Sequence, residues 1–234
     1  MQKQVLSKKR VAEHGEVFTR KREVNAMLDL VKQETERIES RFLEPASGTG
    51  NFLAEILERK LHVVKARYHK SQLEFERNAV LAVSSIYGID ILQDNIEECR
   101  KRLFGIFDWT YSSLYKKTIK NECRNTVRYI LERNIIRGDA LILKTVGENP
   151  RAIVFSEWSP VNGSMLKRRD FTLSMLMHSY LPDQQDLFPQ RDLFSDLGEE
   201  AFIPRPVKEY PLIHFLEIGK GSEYLSADDT DERR

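Results

Sequence analysis

The segment Glu-Pro-Ala-Ser-Gly-Thr-Gly-Asn, residues 44–51, contains two closely spaced glycines, a pattern typical of turns that approach a ligand. Gly48 and Gly50 allow backbone angles that side chains disfavour, so the chain can approach a ligand closely. An apolar run precedes the two glycines and helical residues follow them, and open α/β sheets bind cofactors at such strand ends. Asp90 ends the next predicted strand and offers a carboxylate to ribose hydroxyls. Together these residues predict a nucleotide-like cofactor site, whereas a glycine pair alone would indicate a plain turn.

The elements that position these residues follow from the apolar periodicity, which predicts strands alternating with helices and hence a doubly wound α/β sheet. We expect strands at 41–46, 82–91, 135–143, 151–158 and 210–218. We expect helices at 21–39, 50–61, 92–107, 118–134 and 171–180. The acid in the second strand comes later than the usual gap of about 20 residues, so residues 62–76 must form a looped or helical insertion.

Composition limits the function classes. The chain has 234 residues, is 41% hydrophobic and 31% charged, and carries a net charge of +1, so a nucleic-acid surface would have to be a local patch. Two isolated cysteines and five scattered histidines give no metal-ligand spacing. No apolar run approaches the length of a membrane span and no signal peptide is evident, so we expect a cytoplasmic protein without a membrane partner.

Four segments resemble one known family. The sequence "FLEPASGTGNFL" is similar to the cofactor motif of DNA adenine methyltransferases, especially the modification subunits of type I restriction-modification systems. The segments "HGEVFTRKREVNAMLDL", "YGIDI" and "IIRGDAL" resemble three further motifs of the family, in the same order. The resemblance covers residues 14–160 and implies a Rossmann-like class I methyltransferase sheet, reduced in strand count, that binds S-adenosyl-L-methionine.

Cofactor roles carry over from the resemblance by position. It implies that Thr19 holds the methionine carboxylate, that Asp90 holds the ribose, that Ile91 packs on the adenine ring and that Asp139 meets the adenine edge. The residues implied around the methionine part are Glu44, Pro45, Ala46, Gly48 and Gly50, and Ala140 is placed in the cofactor site with Asp139. Glu44 stands where the family usually has Asp, and Arg20 stands where it usually has Pro.

This sequence departs most from the family at the catalytic motif. Those enzymes carry Asn-Pro-Pro followed by an aromatic residue after the fourth strand, where the motif binds the amino group and stacks on the flipped base. No Asn-Pro-Pro occurs in this chain, and the corresponding segment is "RAIVFSEWSPVNG". The candidate catalytic residues are therefore Glu157, Trp158, Ser159 and Pro160. A core or rim position for Trp158 and a solvated Glu157 are the alternative interpretations.

Basic residues suggest contacts to DNA. Lys167, Arg168 and Arg169 follow the expected active-site strand, where phosphate contacts would be useful. The segment "FDWTYSSLYKKTIKNECR", residues 107–124, interleaves aromatic and basic residues in a way that suits a nucleic-acid strand. A solvated charged face is the alternative in both places.

The segment 181–200 is predicted to be a polar linker between a methyltransferase-like domain at 1–180 and a terminal strand that joins the core at 201–220. It contains two copies of a Gln-x-Asp-Leu-Phe peptide that resembles the motif by which bacterial proteins dock on the beta sliding clamp. An amphipathic turn folding back on the core, or chance, is the alternative. The predicted clamp-binding residues are Gln184, Leu187, Phe188, Gln190, Leu193 and Phe194. Residues 221–234 are predicted to be a disordered tail.

The sequence thus predicts an S-adenosylmethionine-dependent methyltransferase acting on the exocyclic amino group of adenine in DNA. With no target-recognition domain of its own expected, the chain would take its specificity from a separate subunit or would have weak specificity. The degenerate catalytic segment leaves a second function open, a pseudoenzyme that binds the cofactor and serves as a DNA-associated or clamp-docked subunit.

Overall fold

The computed structural model describes residue 10 and residues 19–178, 193–194, 200–201 and 204–220. The helices are α1 (Lys21–Asp29), α2 (Lys32–Thr35), α3 (Asn51–Tyr68), α4 (Gln72–Ser84), α5 (Gln93–Tyr115), α6 (Asn121–Asn134) and α7 (Leu173–His178), with 3-10 turns at Lys116–Thr118 and Ile218–Lys220. The strands are β1 (Phe42–Glu44), β2 (Ile86–Asp90), β3 (Ile135–Asp139), β4 (Lys144–Thr145), β5 (Val154–Pro160), β6 (Met165–Thr172), β7 (Leu193–Phe194), β8 (Glu200–Ala201), β9 (Lys208–Glu209) and β10 (Ile213–His214).

The fold is mixed α/β, as the alternating pattern predicts. Strands β1, β2 and β3 are parallel and lie in that order, and β4 adds to β3 in the antiparallel sense. Because parallel strands share one carboxyl edge, the ends of β1 and β2 lie side by side. The register pairs Glu44 with Gly88 and Asp90 with Arg137.

One face of this sheet is covered by the four long helices α3 to α6. Gly88 faces Leu53 of α3, and Ile86 and Ile135 belong to the same buried cluster as the helix side chains. The inserted segment 62–76 is helical, since α3 continues to Tyr68 and α4 begins after Ser71, whose hydroxyl accepts a hydrogen bond from the Glu74 backbone N–H at 3.4 Å. Such a cap stabilises the start of the new helix.

The opposite face carries Tyr87 and Ile89, and β5 and α7 cover it. Ile153, Phe155 and Leu173 form a second buried cluster with these two residues. Strand β5 pairs along its whole length with β6 as an antiparallel hairpin, and β9 and β10 pair with β6. Phe215 and Ile218 then enter the main core, so residues 215–218 pack against the helices.

Several predicted boundaries are wrong. The helix predicted at 21–39 stops at Asp29 and resumes for one turn at Lys32, and the strand predicted at 82–91 begins only at Ile86. The helix predicted at 171–180 begins at Leu173, because 165–172 is strand β6. The terminal strand predicted at 210–218 is the two-residue strand β10 followed by a 3-10 turn.

Among the helices that the structure describes, each is too short or too polar to cross a membrane.

Candidate cofactor-binding site

The turn between β1 and α3 adopts the backbone geometry that its glycines permit. Gly48 has φ +52° and Gly50 has φ +81°, both in the left-handed region that costs other residues about 1 kcal/mol or more. Gly50 is also packed tightly, since a Cβ there would lie 2.6 Å from the Cys99 Sγ atom. The backbone N–H of Gly50 donates to the Ser47 carbonyl at 2.8 Å and closes the turn.

Asp90 fastens this turn to the end of β2. Its carboxylate accepts hydrogen bonds from the backbone N–H of Gly48 at 2.9 Å and of Leu92 at 2.8 Å. The side-chain amide of Asn95 donates to the same carboxylate at 3.1 Å. A carboxylate has about four lone-pair positions, so one remains for a further donor such as a ribose hydroxyl.

Glu44 supplies a second carboxylate at the same edge, at the last position of β1. Burial raises the pKa of this group, and the backbone N–H of Ala46, which donates to it at 3.3 Å, acts in the opposite direction. A half-buried carboxylate with a single neutral donor favours an approaching cation, because a positive charge would offset its desolvation.

Thr19 precedes α1 and lies next to the first residue of α3, because its carbonyl accepts a hydrogen bond from the Asn51 side-chain amide at 3.0 Å. Arg102 of α5 donates to the Asn51 Oδ1 atom at 2.5 Å, so three separate segments meet here. The segment before α1 and the glycine turn are therefore neighbours, as the resemblance implies.

The remaining predicted cofactor residues lie along the same edge. Ile91 is 41% exposed directly after Asp90 and is free to contact a flat ring. Asp139 ends β3, accepts from the Leu141 backbone N–H at 2.9 Å, and is followed by Ala140, which packs against the cluster under β5.

Sequence reasoning missed Asn95, Arg102 and Ser47. The position of Ser47 inside the glycine turn was the available signal, and its buried hydroxyl has no partner among the described residues.

The predicted catalytic residues lie elsewhere. Strand β5 starts beside β3, with Ile153 against Gly138, and crosses the sheet in the direction opposite to β1–β3. Its Ser156 carbonyl accepts a hydrogen bond from the Tyr87 hydroxyl at 3.2 Å, and Glu157 pairs with Arg41, which precedes β1. This brings the end of β5 to the amino edge of the sheet, opposite the glycine turn.

Each candidate on β5 has a structural neighbour at that amino edge. Trp158 is buried and packs edge-on against Tyr129, with ring centroids 6.2 Å apart. Ser159 and Glu157 both contact Arg169. Pro160 borders a small cavity of about 70 Å³ beside α4. The structure thus agrees with the alternative of a core position for Trp158, and it places all four candidates away from the turn.

The basic run after β5 is part of strand β6. Arg168 is buried and forms an ion pair with Asp170 at 2.7 Å, while Lys167 pairs with Glu209 at 3.1 Å. Arg169 pairs with Glu157 at 3.1 Å. Because each cation already has a carboxylate, these residues are poorly suited to the phosphate contacts predicted for them.

Most of the predicted clamp-binding segment, including Gln184, Leu187, Phe188 and Gln190, lies outside the described residues. The backbone of Leu193 and Phe194 forms β7, which pairs with β8. Among the described residues, no three His, Cys, Asp or Glu side chains are grouped as a metal site requires.

Comparisons of the chain with protein-family models, with curated proteins and with solved structures gave no match.

Proposed function

We propose that the glycine turn binds S-adenosyl-L-methionine and that the chain is a methyltransferase-like subunit that holds this cofactor. The observation that carries the proposal is the meeting of Gly48, Asp90 and Glu44 at one carboxyl edge of the parallel strands. A Rossmann-like sheet binds its nucleotide at this edge, and the β1-β2-β3 order with a glycine turn after β1 supports such a sheet.

The residues present fit the cofactor chemically. Glu44 would face the positively charged methionine end, Asp90 has a lone-pair position for a ribose hydroxyl, and the exposed Ile91 would cover the adenine. Ser47 contributes a buried hydroxyl without a partner in the described part of the chain, and such a group favours a bound ligand. The bound cofactor would supply an activated methyl group.

Of the two functions that the sequence leaves open, the geometry favours the cofactor-binding pseudoenzyme over the DNA adenine methyltransferase. Methyl transfer requires a hydrogen-bond acceptor near the methyl group of the cofactor. This acceptor must lie within about 3 Å of the target amino group. Glu157 and Trp158 are at the other edge of the sheet and are occupied by Arg41 and Tyr129. DNA, a specificity subunit and the sliding clamp stay predictions from the sequence.

Calorimetric titration with S-adenosylmethionine tests the cofactor proposal. We expect Glu44→Gln to weaken binding by about 1–3 kcal/mol, as for loss of a charged hydrogen bond. Wild-type affinity should fall as the pH drops through the raised pKa of Glu44, because the protonated carboxyl no longer attracts a cation. The Gln variant should lack this dependence. Glu148→Gln, on the exposed loop after β4, is the matched control.

The same protein incubated with labelled cofactor and mixed DNA separates the two functions. We expect no methylated DNA while the cofactor is bound. Labelled adenine in the product would overturn the pseudoenzyme assignment, and absence of cofactor binding in calorimetry would overturn both.

A further inference from the structure

A groove lies between α3 and α5 on the outer face of the helical layer, and at one end it reaches Arg102, which donates to Asn51 at the start of α3. The two helices run side by side in the same direction, since Arg102 contacts Asn51 at the start of α3 and the Tyr115 hydroxyl donates to the His69 carbonyl beyond its end at 3.1 Å. A cavity of about 540 Å³ occupies the space between them. We call it the α3–α5 groove, and its lining includes His62, Lys65, Arg102, Gly105 and Trp109.

The lining of the groove is positively charged. Lys65, His62 and Arg102 form no ion pair with a carboxylate in the part of the chain that the structure describes. The acid of the lining, Glu58, pairs with Lys21 at 3.4 Å. Residues 59–73 contain no Asp or Glu, so the basic character continues along the end of α3, where Arg67 and Lys70 are exposed.

Trp109 gives this groove an exposed aromatic surface. Its side chain is 72% exposed, whereas Tyr111 and Phe107 of the same helix are fully buried. Proteins bind single-stranded nucleic acids with an exposed aromatic ring beside cations, because bases stack on the ring and phosphates contact the cations. Trp109 has Lys65 and Arg102 near it, neither with a carboxylate partner among the described residues.

Gly105 keeps the floor of the groove open. It lies in the interior of a helix of 23 residues, where glycine costs about 1 kcal/mol relative to alanine. A Cβ at this position would meet no atom within 4 Å, so packing against the protein does not require glycine here. Space for a ligand is a physical reason for accepting the cost.

We propose that the α3–α5 groove binds single-stranded nucleic acid, with a base stacked on Trp109 and the backbone phosphates at Lys65, His62 and Arg102. This surface differs from the basic run on β6, whose cations are already paired with carboxylates. The proposal does not depend on cofactor binding, and the groove can be tested in the absence of S-adenosylmethionine.

Fluorescence anisotropy with a labelled oligothymidylate of about 20 nucleotides tests the proposal, since single-strand sites cover about 4–16 nucleotides. We expect Trp109→Ala to weaken binding about tenfold. Lys65→Ala should weaken it too and should reduce the slope of log K against log salt by about 0.7, the share of one phosphate contact on a single strand.

Gly105→Leu is the blocking variant. Leucine favours the helix more than glycine does, and its side chain enters open space, so the fold should be retained while the groove is filled. Circular dichroism of each variant checks the fold. Lys144→Ala, an exposed lysine on β4, is the charge-matched control and should bind like wild type.

Binding that Gly105→Leu abolishes and Lys144→Ala retains would support the proposal. No binding of the oligonucleotide by wild type at low salt would overturn it and leave a protein partner as the occupant to seek. Wild-type affinity in both Trp109→Ala and Gly105→Leu, or tighter binding of the corresponding duplex, would overturn it as well. Loss of cofactor binding in calorimetry with intact oligonucleotide binding would refute the proposed function alone.

Discussion

Replacing Asp90 with Asn tests whether this carboxylate holds the glycine turn in place. The carboxylate accepts from Gly48, Leu92 and Asn95, whereas an amide retains one oxygen and places an NH₂ group where the other oxygen stood. At least one of these three N–H donors then faces the new NH₂ group, which is also a donor. A hydrogen bond to a charged group contributes about 1.5–3 kcal/mol, so we expect Asp90→Asn to lower the free energy of unfolding by about 2 kcal/mol.

Urea denaturation followed by circular dichroism measures this loss. With a slope of about 2 kcal/mol per molar urea, the midpoint should fall by about 1 M while the slope stays unchanged. Asp139→Asn is the matched control, since Asp139 also ends a parallel strand and accepts from Leu141 at 2.9 Å in an exposed position. We expect that variant to lose less than about 1 kcal/mol. Equal midpoints for the two variants would refute the claim that Asp90 fastens the turn.

Two further predictions concern stability. Burial lowers the pKa of Lys60 from 10.5 to about 7, so above pH 7 the unfolded chain binds more protons at this lysine than the folded chain does. The free energy of unfolding should therefore rise with pH by up to about 1 kcal/mol per pH unit. The rise should end near pH 9, because burial raises the pKa of Cys99 from 9.0 and this thiol then acts in the opposite direction. Urea midpoints between pH 7 and 9 should show this rise in wild type and not in Lys60→Met; a flat wild-type profile would contradict the reasoning. Gly219→Ala should cost about 1–3 kcal/mol, because the added Cβ would lie 2.5 Å from the backbone of Asn125, which cannot move aside. Gly105→Ala, with open space, should be neutral or stabilising in the same assay, and equal losses would refute the packing argument.

The geometry of the glycine turn could be predicted from the sequence because its signals are local. The glycine turn, the strand before it and the helix after it are contiguous, and Asp90 follows from one strand end. The contacts of Asn95 and Arg102 could not be predicted, because they depend on how α5 packs against the turn. The sequence also could not show that Asp90 is already bonded to three protein donors.

Strand β6 was missed for a physical reason. Its inward-facing side chains are Leu166, Arg168 and Asp170, and they are 7–8% exposed. Two of these are charged and neutralise each other in the interior, so the alternation of apolar and polar residues that identifies a half-buried strand is absent. The run of basic residues therefore looked like a surface cluster, although every second side chain points inward.

The hairpin of β5 and β6 also explains why the two halves of the expected active site are apart. A fourth parallel strand placed beside β1 would end next to the glycine turn and would bring its last residues to the cofactor. Here β5 begins at the end of β3, through the backbone bond from Ile153 to Leu143, and runs in the opposite direction across the face that carries Tyr87. Its final residues therefore reach Arg41 at the start of β1 instead. In this arrangement Glu157 and Trp158 stabilise the amino edge of the sheet, and the carboxyl edge retains the groups that suit binding of a cofactor.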